Sequence, residues 1–245
     1  MRGVRDPRLR VFKLPKEAII FAFAQWQGSR SRQEDFVGNF KDECFVVCDG
    51  VSGLPHGDVA ANLAGETALW AYKQVRLRKG YWADKRLLIR RIFRSTNLTI
   101  WQKKREPGFE DGLATTLLVA IVGPMTIWVG SVGDSSAWVY NGNLLRLTRE
   151  DRDRSGNLTR ALGYQRLGLW PNASQQRFLS GDLLILATDG ITSVLSPKEV
   201  SALVKNAGDT SDGLTNTAQE IIRKARNMGA TDNMTVCLVK RIALP

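Results

Sequence analysis

The order of apolar patterns along this chain predicts an α+β fold in which antiparallel sheets carry pairs of helices on the outside. Three observations lead there. Strand-like runs open and close the sequence, helical patterns come in consecutive pairs, and helices do not alternate one-for-one with strands as they would around a doubly wound parallel sheet. No internal repeat or long linker breaks the pattern, so residues 18–245 read as one domain behind a basic leader, residues 1–17.

The elements follow in order. Six basic residues precede the apolar run 18–24, a layout like an export signal, but the run is short and Glu17 abuts it, so 19–26 reads as a strand. A second strand is predicted over 44–49. A helix then starts at Asp58, read as its N-cap, with Ala60, Leu63, Ala64, Thr67, Ala68, Ala71 and Val75 on one face. Another starts near Asp84, with Ile89, Phe93, Thr96 and Ile100 on its inner face. Residues 112–133 carry no charge and are long enough to test as a membrane span. Gly123-Pro124 interrupts them, so they read instead as strands over 114–122 and 126–134. Strands over 136–140 and 183–189 come next. Ser196-Pro197-Lys198-Glu199 is a capping box with proline at the first helical position. Leu214, Ala218, Ile221, Ile222 and Ala225 mark the last helix, Gly229 stops it, and 234–239 is the closing strand.

Composition excludes several chemistries. Among 245 residues, 43% hydrophobic and 24% charged, a single histidine (His56) rules out a multi-histidine zinc site. Cys44, Cys48 and Cys237 lack an arginine six positions on, which removes a cysteine-based phosphatase loop. Their odd number, with two in one apolar run, points to reduced thiols and a cytoplasmic home. A dinucleotide fingerprint and a P-loop are both absent. The net charge of +11 is local, because residues 73–105 hold twelve Lys/Arg against Asp84 alone. Arg86, Arg90 and Arg94, four apart, form a stripe that is either a solvated helix face or a dock for an acidic partner. With little aromatic interleaving and no nucleic-acid motif, nucleic-acid binding is the weaker reading of that stripe.

The chemistry-bearing signal is repetition. Asp49-Gly50, Asp189-Gly190 and Asp232-Asn233 each leave or enter an apolar strand. Were those strands neighbours, three carboxylates would converge and raise one another's pKa unless cations neutralised them. An all-oxygen set selects Mg²⁺ or Mn²⁺ over zinc. Two such cations suit phosphate ester hydrolysis, and Arg30 in the segment Arg30-Ser-Arg-Gln-Glu34-Asp35 offers a planar fork for phosphate oxygens.

Seven blocks in order resemble the metal-dependent protein phosphatases of type 2C (the PPM family). They are Arg30–Asp35, Val47-Cys-Asp-Gly-Val-Ser-Gly53, Gly112-Leu-Ala-Thr-Thr116, Gly133-Asp-Ser135, Leu158-Thr-Arg-Ala-Leu-Gly163, Ala187-Thr-Asp-Gly-Ile191 and Ala230-Thr-Asp-Asn-Met-Thr235. The resemblance implies a central β-sandwich flanked by helix pairs and a Ser/Thr phosphoprotein phosphatase with two Mn²⁺ or Mg²⁺ per chain. It implies that Asp49 bridges both metals, that the Gly50 carbonyl serves one, and that Asp189 and Asp232 complete the other. Glu34 would position a water at the metals, Asp35 would order that corner, Arg30 would bind phosphate, and Asp134 would serve a third, weaker metal. The substrate implied is a phosphoprotein, for example a Ser/Thr kinase or its target.

The chain departs from the family in places. Ser136 replaces an arginine after Gly-Asp-Ser, Ser193 stands where some members have aspartate, and Val51 where eukaryotic members often have histidine. His56 reads as a loop residue rather than a general acid. Residues 149–157 are a short polar loop in place of a longer flap, which predicts an open site with few flap contacts. The alternative reading is a catalytically weak module of the same fold that docks an acidic partner through 73–105.

Overall fold

The computed structural model describes residues 17–79, 84–110 and 112–244. The predicted leader, up to residue 16, lies outside them. Two five-stranded antiparallel sheets form a sandwich. One runs β1 (Glu17–Trp26), β10 (Met234–Ala243), β9 (Leu183–Ala187), β6 (Ser136–Tyr140), β7 (Leu144–Arg146). The other runs β2 (Asp35–Phe40), β3 (Cys44–Asp49), β4 (Leu117–Val122), β5 (Thr126–Val132), β8 (Asn172–Arg177). Helices α1 (Gly57–Lys79) and α2 (Lys85–Lys103) cover the second sheet. The short α3 (Asp189–Thr192), α4 (Pro197–Val204) and α5 (Ser211–Asn227) cover the first.

Four layers need three cores, and this accounts for the continuous apolar runs. In β3, Cys44, Val46 and Cys48 face the α1/α2 layer while Phe45 and Val47 face the opposite sheet. In β9, Leu183, Ile185 and Ala187 face α4/α5 and Leu184 and Leu186 the sandwich interior. A strand buried on both faces loses its polar alternation whatever the direction of its neighbours. The uncharged stretch 112–133 contains β4 and β5, and among the described residues no helix is long and apolar enough to cross a membrane. All three cysteines are buried and free.

The structure shifts several predicted edges. Helix α1 begins one residue before Asp58, because the His56 carbonyl accepts the first helical bond from Ala60 N. Asp58 is therefore in the first turn, and it faces Arg32 at 3.6 Å. Asp84 does cap α2, and the Ser196–Glu199 box caps α4. Strand β4 starts at Leu117, because Thr115 instead bridges Gly50 and Leu162. Strand β5 stops at Val132, where Gly133 takes φ +106°. Strand β9 ends at Ala187, so Asp189 opens a helix rather than closing a strand.

One polar cluster ties α1 to the sheet it covers. Glu43, beside β3, accepts from Tyr72 Oη at 2.9 Å, Arg76 Nε at 2.7 Å and Arg76 Nη2 at 3.1 Å. Burial alone would raise the Glu43 carboxyl, but the Arg76 and Tyr72 bonds outweigh it and hold the group below its ordinary 4.5. A depressed value means stabilisation that is complete above 4.5 and lost as pH falls through the folded value. Glu43→Gln is therefore expected to cost roughly 1–2 kcal/mol at neutral pH, from the loss of charge-assisted bonds. Denaturant unfolding of both proteins across pH checks this, with the gap closing below 4.5. A gap constant with pH would contradict it.

Candidate active site

Chain geometry brings the acidic residues to one end of the sandwich. Asp49 ends β3, Asp35 begins β2 directly opposite it, Asp134 follows β5, Asp189 follows β9, and Asp232 precedes β10. The Asp-Gly pairs have a steric cause. A Cβ on Gly50 would lie 2.4 Å from the Gly57 carbonyl oxygen, and one on Gly190 would lie 2.0 Å from that of Asn233. Neither position has room for a side chain, so each acidic residue is carried where two backbones nearly touch.

A cleft of about 340 Å³ results, lined by Arg30, Asp49, Gly50, Asp134, Asp189 and Asp232 together with Arg152 and its loop. Carboxylate oxygens of Asp49, Asp134 and Asp189 all lie within 4.8 Å of one another. Asp232 is turned to the rim, where its Oδ2 accepts from Arg30 Nη2 at 2.8 Å and its Oδ1 from Asn233 N at 2.8 Å. Asp134, expected at a separate weaker site, thus joins Asp49 and Asp189, while Arg30 and Asp232 form a pair of their own.

Electrostatics follow from that crowding. Burial, then Asp35 and Asp189, push the Asp49 carboxyl well above the usual carboxylate range. Burial and Asp189 raise Asp134 to about 6, against the pull of Arg152. Burial raises Glu34 too, with Asp58 adding to it. These are carboxylates short of positive charge. Their donor set is all oxygen, and Asp35 Oδ1 and Asp58 Oδ1 are buried without a hydrogen-bond partner. A hard divalent cation fits such a set.

The supporting contacts are mostly ones that sequence patterns do not mark. Buried Asp35 accepts from Thr188 Oγ1 at 2.9 Å and Thr235 Oγ1 at 2.6 Å, joining β2 to the opposite sheet. Burial lifts its carboxyl to about 7 despite those two bonds. Asn233 clamps the Arg30 segment: its Oδ1 accepts from Glu34 N at 2.7 Å and its Nδ2 donates to the carbonyls of Gln27 at 2.5 Å and Arg32 at 3.0 Å. Glu34 also packs against Gly57 at the start of α1. His56 packs against Phe109 with the rings tilted and their centroids 4.8 Å apart, and does not line the cleft.

A family model described as protein phosphatase 2C matches residues 29–234. The chain belongs to the protein phosphatase 2C family. It is 26% identical over 244 residues to the serine/threonine phosphatase stp of Listeria monocytogenes, covering 86% of this chain and 91% of that one. It is 25% identical over 238 residues to the protein phosphatase PhpP of Streptococcus pneumoniae, covering 86% and 92%. Among solved structures, the catalytic domain of the phosphatase PstP in complex with two manganese ions superposes with a TM-score of 0.78 at 19% identity, covering 93% of this chain and all of that one. Stp1 of Staphylococcus aureus gives 0.79 at 20% identity over 99% and 100%.

Within this family frame the short loop departs from expectation. The site is not free of loop contacts: Arg152 reaches Asp134 Oδ2 at 2.6 Å and also hydrogen-bonds Asp189, and Gly156, Asn157 and Leu158 line the cleft. Nine residues are too few for a subdomain, but Asp151 is hydrogen-bonded to Gly133 in both directions, so the loop starts against the acidic cluster.

The Asp35 contacts separate two substitutions. Asp35→Ala, which leaves two threonine hydroxyls without their acceptor, is expected to cost roughly 2–3 kcal/mol. Asp35→Asn keeps an acceptor and removes a buried charge beside Asp49, and is expected to stay within about 1 kcal/mol of the parent. Chemical denaturation of chelator-treated protein checks both. Equal losses for the two would remove the hydroxyl tie from the account.

Proposed function

We propose that this protein phosphatase 2C member hydrolyses phosphoserine and phosphothreonine in proteins at a dinuclear Mn²⁺ or Mg²⁺ centre held by Asp49, Asp189 and Asp232, with Asp134 beside them. The observation that carries the reading is the mutual approach of the Asp49, Asp134 and Asp189 carboxylates, all within 4.8 Å, in a cleft that Asp232 and Arg30 also line. When bound, the cations supply a water ionised near neutral pH and positive charge for the phosphoryl group. The chain supplies the rest. Asp49, half-buried and short of counter-charge, would hold the cations, and the Gly50 carbonyl next to it would be a further oxygen donor. Arg30 takes the phosphate oxygens with its fork, oriented by Asp232. Glu34 and Asp35 hold the corner where water enters, through Gly57 and the two threonines.

The substrate is a phosphoprotein, with a Ser/Thr kinase or its target as the class this reading names, and a cytoplasmic location fits the three free, buried cysteines. Its acidic segment docks on α2. Arg86, Arg90 and Arg94 are exposed along one face, as their spacing requires, over the buried Ile89 and Phe93. Two adjoining grooves of about 430 and 340 Å³ share Arg90 and Trp170, and Arg91 and Arg166 add to the same rim. Arg90 lies over the Trp170 ring at 5.4 Å, and Trp170 and Leu167 are 63% and 62% exposed. Among the described residues these five arginines have no carboxylate partner, which makes the patch a match for an acidic chain. The alternative of a catalytically weak module gains nothing from the cleft, where every acidic residue of the proposed centre is present.

Activity tests follow. Mn²⁺-dependent hydrolysis of phosphoserine and phosphothreonine peptides is expected, abolished by chelator and restored by Mn²⁺. Asp49→Asn and Asp189→Asn should each lower kcat by roughly 100-fold or more, as loss of an electrostatic group at the reacting centre does. An Asp189→Asn enzyme at the parental rate would overturn the assignment. For the docking face, the double substitution Arg86→Glu/Arg94→Glu should raise KM about tenfold for a phosphopeptide with an acidic flank, leave kcat unchanged, and spare a neutral-flank peptide. Equal effects on both peptides would remove the dock.

A further inference from the structure

We infer that Arg152 is a tethered cation that occupies the Asp134 side of the acidic cluster and holds the centre to two metal ions. The inference rests on the dinuclear reading above and concerns what that reading leaves open, namely how Asp134 is neutralised. One nitrogen, Nη2, bridges Asp134 Oδ2 at 2.6 Å and Asp189 Oδ2. The other, Nη1, donates to the Gly156 carbonyl at 3.1 Å, so the guanidinium is fixed from both ends.

Its mounting is rigid, and it is built on the backbone that carries Asp134. Asp151 N donates to the Gly133 carbonyl at 3.0 Å, and Gly133 N donates to Asp151 Oδ2 at 3.0 Å. Arg160 Nη1 holds Asp151 from the far side at 3.0 Å. Beyond Arg152 the chain turns at once: Asp153 Oδ1 accepts from Ser155 N at 2.8 Å and Asn157 N at 2.9 Å, and Arg152 pairs with Leu158 across the turn. A longer loop would have conformational freedom to withdraw the guanidinium. This one sets Arg152 one residue from a reciprocal bond to the neighbour of Asp134.

The consequence is a limit on occupancy. Asp134 and Asp189 each give one oxygen to Arg152, and a further divalent cation at Asp134 would sit within a few ångströms of a fixed positive charge. Among the described residues Asp49 has no arginine on its carboxylate, and the cleft's other guanidinium, Arg30, is paired with Asp232 at the rim. Cations are thereby confined to the Asp49 side of the cluster, and Asp134 acts as the anchor of an arginine rather than as a metal ligand.

Counting bound Mn²⁺ by calorimetric titration of metal-stripped protein tests this without reference to turnover. The parent and Arg152→Lys, which keeps the charge, should each take up two Mn²⁺ per chain. Arg152→Gln should take up a third, and Arg152→Gln combined with Asp134→Asn should return to two. Thermal melts of the stripped proteins verify that all four are folded. An Arg152→Gln protein with the parental number and affinity of sites would overturn the role of Arg152 while leaving the dinuclear reading intact. A parent that takes up three ions, with Asp134→Asn removing one, would overturn it as well. A folded parent that binds no Mn²⁺ would instead overturn the dinuclear reading, and this inference with it.

Discussion

Repulsion among Asp35, Asp49, Asp134 and Asp189 is the constraint that the rest of this molecule accommodates. Left to solvent, these side chains would separate. Strand register instead sets Asp35 directly opposite Asp49, and the ends of β5 and β9 bring Asp134 and Asp189 to within 4.8 Å of it. Like charges placed across a strand pair or around a shared point destabilise the fold that holds them. That cost is borne by three apolar cores whose central strands are buried on both faces. The sandwich is thus the support that keeps an unfavourable constellation in place, and cation binding is what relieves it.

Rigidity at the acidic end comes from main-chain contact more than from side-chain packing. Gly50 against Gly57 and Gly190 against Asn233 are approaches that any Cβ would prevent. Asn233 then pins the Arg30 segment through three bonds, and Asp35 pins β2 to Thr188 and Thr235 across the sheets. Each acidic residue is consequently fixed relative to the others by elements of both sheets, so distances in the cleft do not depend on one loop. Preorganised charge of this kind needs no rearrangement when a phosphoryl group arrives.

Sequence patterns reveal the parts of this design that rest on burial. The runs at 44–49 and 183–187, the inner face of α2 and the capping box at Ser196 were legible because apolar periodicity and cap chemistry are local. Of the edge strands, β1 was legible but β2, β7 and β8 were not. Strand β8, Asn-Ala-Ser-Gln-Gln-Arg, is half solvated and contains no large apolar residue, and β7 has three residues. What holds such strands is pairing with a neighbour, which leaves no apolar signature. Repetition of Asp-Gly beside strands was enough to single out Asp49, Asp189 and Asp232. The carboxylate that joins Asp49 and Asp189 most closely is Asp134, and its nearness depends on the turn at Gly133. Arg152 had no signal at all: in a polar loop rich in arginine, only three-dimensional placement distinguishes it from Arg149 or Arg154.

The same loop connects the cleft to the surface groove. Arg160 donates from Nη1 to Asp151 and from Nη2 to the Trp170 carbonyl, so one side chain braces both the base of the Arg152 turn and the aromatic wall of the groove. Asn97 on α2 adds a second brace, taking Gly163 N on its oxygen at 2.9 Å and giving its amide to the carbonyls of Gln165 at 2.9 Å and Arg166 at 3.1 Å. Leu162, next to that brace, bridges Thr115, whose hydroxyl bonds the Asp49 carbonyl at 2.9 Å. A polypeptide held at Trp170 is therefore held on the framework that positions Asp49. The arginine-rimmed groove and the carboxylate-lined cleft are thus braced by one framework, with Asp151 bonded to Gly133 at one end of the short loop and Arg160 bonded to the Trp170 carbonyl at the other.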